Sequence, residues 1–254
     1  MALSLAVGRW DIFLLVLVRV ASMIMVAPVF GARPVPAQVK IGLAVLLTLI
    51  LVPLQPASAP LMGDWLTTFL AVAKEAIVGF LLGYVATLLF SAVQMAAQVV
   101  GVQVGYAFSS TMDPLLMQNS SFLDSFYNYL AVLVFLGLGG HHALISAVSN
   151  SFELVPLGQF GGEAIIGNRL VALSSATFGI ALKLALPVVG TMLLVDAAFA
   201  LVVRSVPQMN IFAVGLPVKM VVGVLAMAAL IPVTVASFGT VTNNVAGAVA
   251  GLLR

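Results

Sequence analysis

Long apolar blocks separated by short polar or proline-rich joints run along almost the whole chain. A helix rises about 1.5 Å per residue, so about 20 apolar residues cross the hydrocarbon of a bilayer. The first block, Trp10 to Phe30, fits one crossing and carries Arg19 inside it. A joint from Gly31 to Lys40, with Arg33, Pro34 and Pro36, predicts a rigid basic connector. The second block, Ile41 to Leu54, is short for a crossing and ends among Pro53, Pro56 and Pro60. The third, Lys74 to Ser109, has no proline and no charge after Glu75. As one helix it would be about 54 Å long against a core of about 30 Å, so it must turn back or leave the bilayer. A loop with Asp113, Pro114, Asn119 and Asp124 follows, and then a fourth block, Phe126 to Val148, interrupted by Gly137, Gly139, Gly140, His141 and His142.

After a polar, glycine-rich stretch from Asn150 to Arg169 comes the fifth block, Leu170 to Val203, again too long for one crossing. It contains Lys183, Pro187 and Asp196. On a straight helix the two charges would be about 20 Å apart on different faces. A turn at Pro187–Gly190 would set them level, so the expectation is a helical hairpin in which Lys183 faces Asp196. The sixth block, Ile211 to Ser237, holds Pro217, Lys219 and Pro232, and a tail of small residues ends at Arg254.

Composition turns these blocks into a fold class. Of 254 residues, 63% are apolar and 7% charged, whereas soluble domains average about 25% charged residues. The expectation is an all-α integral membrane protein, a single membrane-embedded domain over 1–254. Its apolar start is too long for a signal peptide and reads as a retained helix. No cysteine is present, which removes disulfides and thiolate chemistry, and the net charge of +2 is too diffuse for a nucleic-acid surface. Arg33 and Lys40 in one joint, with Arg204 and Lys219 in another, encode orientation only weakly.

In such a chain each polar residue needs a reason. Thr87, Ser91, Gln94, Gln98, Gly101, Gly105 and Ser109 recur at spacings of four and three and share one helix face. That face serves either close packing or an aqueous path, and both readings keep it away from lipid. Gly79 with Gly83, Gly101 with Gly105, and Gly247 with Gly251 offer close helix contacts. An ionisable group at mid-bilayer costs about 2.5–3.5 kcal/mol, so Arg19, Lys183 and Asp196 must face protein or water, either as pairs or as an ion relay. His141 and His142 lack a third ligand for a metal and fit hydrogen bonding at a helix break. No phosphate-binding glycine loop, Ser/His/Asp set or HExxH motif anchors enzyme chemistry, and no cofactor is implied. The stretch Tyr106 to Asn119 mixes Phe108, Met112, Leu115, Leu116 and Met117 with Ser109, Ser110, Asp113 and Pro114. Flexible methionines can seal an irregular opening, and a hydrophobic constriction gates by excluding water.

Ordered motifs along the chain resemble a known family. Arg19, then Pro28-Val29-Phe30-Gly31 and Pro36-Ala37-Gln38-Val39-Lys40-Ile41-Gly42, resemble the opening of the flagellar biosynthetic protein FliR family. Lys74-Glu75 with Gly79 and Gly83, Gly101-Val102-Gln103-Val104-Gly105-Tyr106-Ala107-Phe108, and Asp113-Pro114 resemble its middle. Gly140-His141-His142 with Ser151-Phe152 is similar to its next block, and Arg204 to Phe212 with Gly215-Leu216-Pro217-Val218-Lys219 to its late motif.

The resemblance implies a subunit of the flagellar type III export gate, in the bacterial inner membrane within the flagellar basal body. It implies assembly with FliP and FliQ into a helical tower of hairpins, work alongside FlhB and FlhA, and unfolded flagellar proteins as cargo. A plug loop would include Phe108, Asp113 and Pro114, to which the physical argument adds Met112, Leu115, Leu116 and Met117. Ser91, Gln94, Gln98, Gly101 and Gly105 would line the channel or an interface between subunits. Arg204, Gln208, Asn210 and Lys219 would hold a polar turn against neighbours, and Arg19, Lys183 and Asp196 would serve structural polar roles. The competing readings are a secondary transporter of a small solute, with Lys183 and Asp196 beside a broken helix, a scaffold without a conduit, and the related subunit of a virulence secretion system.

Overall fold

A computed structural model describes residues 10–32, 34–55, 64–105, 122–161, 165–206, 208 and 210–253. Every regular element among them is helical: α1 (Trp10–Val26), α2 (Ala37–Leu51) continued by a 3₁₀ turn (Val52–Leu54), α3 (Trp65–Val104), α4 (Phe122–Gly137), α5 (Gly140–Leu154), α6 (Ile165–Ser205) and α7 (Ile211–Leu253). Four spans, Ala37–Leu54, Trp65–Val104, Gly167–Ser205 and Ala213–Ala236, are long and apolar enough to cross a membrane. The protein is an all-α integral membrane protein.

Neither overlong block turns back, which was the course expected of the fifth and one of the two left open for the third. The third is one 40-residue helix that starts at Trp65, before the block's first charge, and runs unbroken. The fifth is one 41-residue helix that passes straight through Pro187. Proline removes one N–H and crowds the preceding turn, but membrane helices tolerate it when nearby groups take up the freed backbone. The acceptor freed by Pro187 is the Lys183 carbonyl, one turn earlier, while the Thr191 hydroxyl donates to the Pro187 carbonyl itself at 2.8 Å. Pro217 and Pro232 likewise lie inside α7, which absorbs the small-residue tail as well. The fourth block, by contrast, does break, at Leu138–Gly139 between α4 and α5.

The chain forms two compact units. Unit 1 comprises Met1–Leu88, Gly139–Leu173 and Val241–Arg254, and unit 2 comprises Leu89–Leu138 and Ser174–Thr240. At the centre of unit 1 lies α1, whose Leu15, Val16, Arg19 and Val20 are fully buried. It crosses α3 closely. A Cβ added at Gly79 would stand 1.9 Å from Ser22 Oγ and 2.2 Å from the Arg19 carbonyl oxygen, so only glycine fits. Gly83 repeats the approach one turn later, against Val26. The Thr87 hydroxyl then donates to the Val26 carbonyl at 3.0 Å, which continues the seam. Of the other two glycine pairs, Gly105 meets Leu216 closely whereas Gly251 faces open space, so the last pair makes no such contact there.

Unit 2 packs α3 residues Phe90, Val93, Ala97 and Val100 with α4 residues Tyr127, Ala131 and Phe135 and α6 residues Leu184, Ala185, Val188 and Met192, all buried. Phe90 and Phe135 meet edge to face with ring centroids 5.3 Å apart. Large apolar side chains outside this core are left open, including Leu186, Leu194, Leu201 and Val221, which are 60–73% exposed.

Candidate functional site

The densest polar arrangement is centred on Arg19. Its Nε donates to Glu75 Oε2 at 2.5 Å, one terminal nitrogen donates to Ser151 Oγ at 3.1 Å, and the other donates to the Val155 carbonyl at 3.0 Å. The guanidinium carbon sits 4.2 Å from the centroid of the Phe152 ring, a cation–π position. The second Glu75 oxygen accepts the Gly158 amide at 2.8 Å, and the Ser151 hydroxyl donates to Val148 O at 2.7 Å. Lys74 Nζ reaches the Gly158 carbonyl at 3.4 Å.

Arg19 and Glu75 are both fully buried. Burying two ions costs several kcal/mol each, and the cost is offset only where geometry and additional hydrogen bonds are good. Both conditions hold, because the pair also fastens the turn that follows α5. That turn reverses at Gly158, with φ +74°, in the left-handed region that glycine enters without strain.

Arg19 therefore faces protein, as expected, but its partner escaped the sequence reading. Glu75 lies 56 residues away. Its clue was spacing: Glu75, Gly79 and Gly83 stand four apart on one face of α3, which is the face that meets α1.

The expected pairing of Lys183 with Asp196 is overturned. Asp196 forms an ion pair with Lys219 of α7. The logic of equal distances from a turn was sound, but the turn lies elsewhere. Asp196 stands nine residues before Ser205, where α6 ends, and Lys219 eight after Ile211, where α7 begins, so the two come level across the α6–α7 connection. Lys219 consequently does not belong to the polar turn with Arg204, Gln208 and Asn210. Those three are exposed, and Asn210 opens α7, its side-chain oxygen accepting the Ala213 amide at 3.3 Å. Lys183 lies exposed on α6.

The polar stripe of α3 divides. Gly101 is buried, Ser91 and Gly105 are partly buried, and Gln94 and Gln98 are exposed. Gln94 Nε2 donates to Asn128 Oδ1 at 3.1 Å. The side turned to the core of unit 2 is instead the small apolar one, Ala92, Val93, Ala96 and Ala97. His141 and His142 lie at the start of α5 with ring centroids 4.1 Å apart, but the buried His141 Nδ1 has no hydrogen-bond partner, against the expected bonding at the break. No cluster of metal-ligating residues occurs among the described residues. The plug candidates Phe108, Met112, Asp113, Pro114, Leu115, Leu116 and Met117 lie outside the described residues.

Helices of 40, 41 and 43 residues, far longer than a bilayer needs, with one sealed ion pair and much uncovered apolar surface, define a membrane protein of an unusual helical class. Comparison with known proteins gives that class a family. The model of bacterial export proteins, family 1, matches residues 10–245. The flagellar biosynthetic protein FliR of Escherichia coli is 36% identical over 219 residues, covering 85% of this chain and 82% of that protein. Its counterpart in Bacillus subtilis is 35% identical, covering 83% and 82%, and the one in Pectobacterium carotovorum is 33% identical, covering 90% and 89%. The chain belongs to family 1 of the bacterial export proteins, alongside the flagellar FliR proteins. The resemblance of the motifs holds, and the secondary-transporter reading is not favoured.

Proposed function

We propose that the chain is a wall subunit of the flagellar type III export gate in the bacterial inner membrane, at the flagellar basal body. Its whole length acts there as one membrane-embedded domain beside FliP and FliQ, in a complex that works with FlhB and FlhA and passes unfolded flagellar proteins. It makes and breaks no bond. The observation that carries this reading is the apolar surface left open on α6 and α7: only 11% of the spanning window in Gly167–Ser205 and 17% of that in Ala213–Ala236 is buried. Helices about 60 Å long cannot all be sheltered by a hydrocarbon core of about 30 Å, so neighbouring protein is the covering that suits them.

In this reading Gln94, Gln98 and Ser91, with Gly101 and Gly105 behind them, serve the channel or the contact with neighbours, since exposed amides need partners away from lipid. The segment from Phe108 to Met117 serves as the seal. Isolation of the intact chain from membranes in mild detergent tests the assembly: it should travel in a large multi-subunit ring. A chain that travels alone, stable and monodisperse, would refute the proposal. The seal has its own test. Phe108→Ala with Met112→Ala in the assembled gate should raise resting ion conductance, whereas unchanged permeability removes the seal assignment.

A further inference from the structure

Lys183 stands in an apolar seam that the chain leaves open. Gly179, Lys183, Leu186, Gly190, Leu193 and Ala197 recur along α6 at spacings of 4, 3, 4, 3 and 4, the repeat by which one helix packs along another. From Lys183 to Ala197 these positions are exposed, Leu186 at 60% and Leu193 at 57%. A Cβ built on Gly179 or Gly190 would meet nothing within 4 Å, so packing inside the chain gives no reason for either glycine. Both would let another helix approach closely. Lys183 forms no ion pair among the described residues, and it sits about 27 Å from the start of α6 and about 33 Å from its end.

We infer that this seam receives a helix of a different polypeptide, which presents one aspartate or glutamate level with Lys183. The inference rests on the proposed membership of a multi-subunit gate and names the chemistry of one contact within it. A second copy of this chain does not fit. Side by side and in register, it would set lysine against lysine, and the nearest carboxylate on the same helix, Asp196, is 13 residues away and already engaged by Lys219. A lipid phosphate is disfavoured because the seam runs on past Lys183 in both directions, from Gly179 to Ala197, which suits a helix rather than a headgroup. Charge complementarity therefore selects a foreign carboxylate, desolvated beside Leu186 and the packed backbone at Gly179.

Zero-length carbodiimide coupling on the assembled complex, followed by peptide mass spectrometry, tests this directly. The expected product is an isopeptide bond between Lys183 and a carboxylate of another chain. Lys183→Glu should cut the yield of assembled complex by more than about tenfold, because it sets two carboxylates together in a dry contact, while Lys183→Arg should assemble nearly as wild type. Four results would overturn the inference. They are coupling to a carboxylate of this same chain, ready modification of Lys183 by a water-soluble amine reagent in the assembly, protection lost when anionic lipid is exchanged for zwitterionic lipid, and full assembly of Lys183→Glu. If the chain instead purifies alone, gate membership falls together with the inference. If it purifies in the ring with Lys183 freely modified, only the seam assignment falls.

Discussion

The two compact units treat charge in opposite ways. In unit 1 the ion pair lies at the centre: Arg19 and Glu75 have no exposed surface, and hydroxyl, carbonyl, amide and aromatic groups complete their surroundings. In unit 2 the ion pair lies toward the rim, with the Lys219 and Asp196 side chains 22% and 40% exposed, and Lys183 stands open on an apolar face. Apolar surface does not follow the same division. The spanning window of α3, a helix that both units share, is 61% buried, while that of α2 in unit 1 is 17% buried, and those of α6 and α7 are 11% and 17% buried. The contrast between the units is therefore one of charge: unit 1 completes its ion pair inside the chain, whereas unit 2 leaves its charges toward solvent or neighbours.

The most severe way to break the contrast is to open the finished centre. Arg19→Met leaves Glu75 buried without its counter-ion and should destabilise the detergent-solubilised chain by about 3–5 kcal/mol. Arg19→Met with Glu75→Leu should recover a large part of that loss, as measured by thermal unfolding followed through helicity. If the double variant is no better than the single one, the pair is not what holds unit 1 together. Next in size is Gly79→Leu. A side chain forced against Ser22 and the Arg19 carbonyl should cost about 1–3 kcal/mol by the same measurement. A neutral result would mean that α1 and α3 do not cross at that point. The smallest effect belongs to the rim. Asp196→Asn should change the stability of the isolated chain by less than about 1 kcal/mol, because a half-exposed pair is screened. A loss as large as that of Arg19→Met would erase the distinction between the units.

Much of this division was legible in the residues, though unevenly. Overlong apolar blocks and the scarcity of charge announced long membrane helices, and the need of Arg19 for a protein partner followed from the cost of an isolated ion. Glu75 was missed because an ion pair between distant segments leaves no local periodicity, only a carboxylate aligned with two glycines. The prolines misled in the opposite direction. Pro187 was read as a turn, yet the missing N–H and the crowded preceding turn are tolerated in membrane helices, where neighbouring groups and local adjustment re-satisfy the freed backbone. Lys219 was assigned to a polar connection by its nearness in sequence to Asn210, whereas two turns of helix carry it away to Asp196. The segment proposed as a seal left its mark in composition alone, in methionines and leucines set among polar residues, and it lies outside the described residues.

One feature of the Arg19 centre reaches beyond its stability. The guanidinium donates a hydrogen bond to the Val155 carbonyl, while the carboxylate accepts one from the Gly158 amide. Exchanging the two residues would preserve their mutual attraction but point an acceptor at an acceptor and a donor at a donor. The centre thus has a polarity independent of its zero net charge, and Arg19→Glu combined with Glu75→Arg should not restore the fold. The bend after α5 reads which side chain stands on which helix, so this arrangement can be inherited only in one orientation.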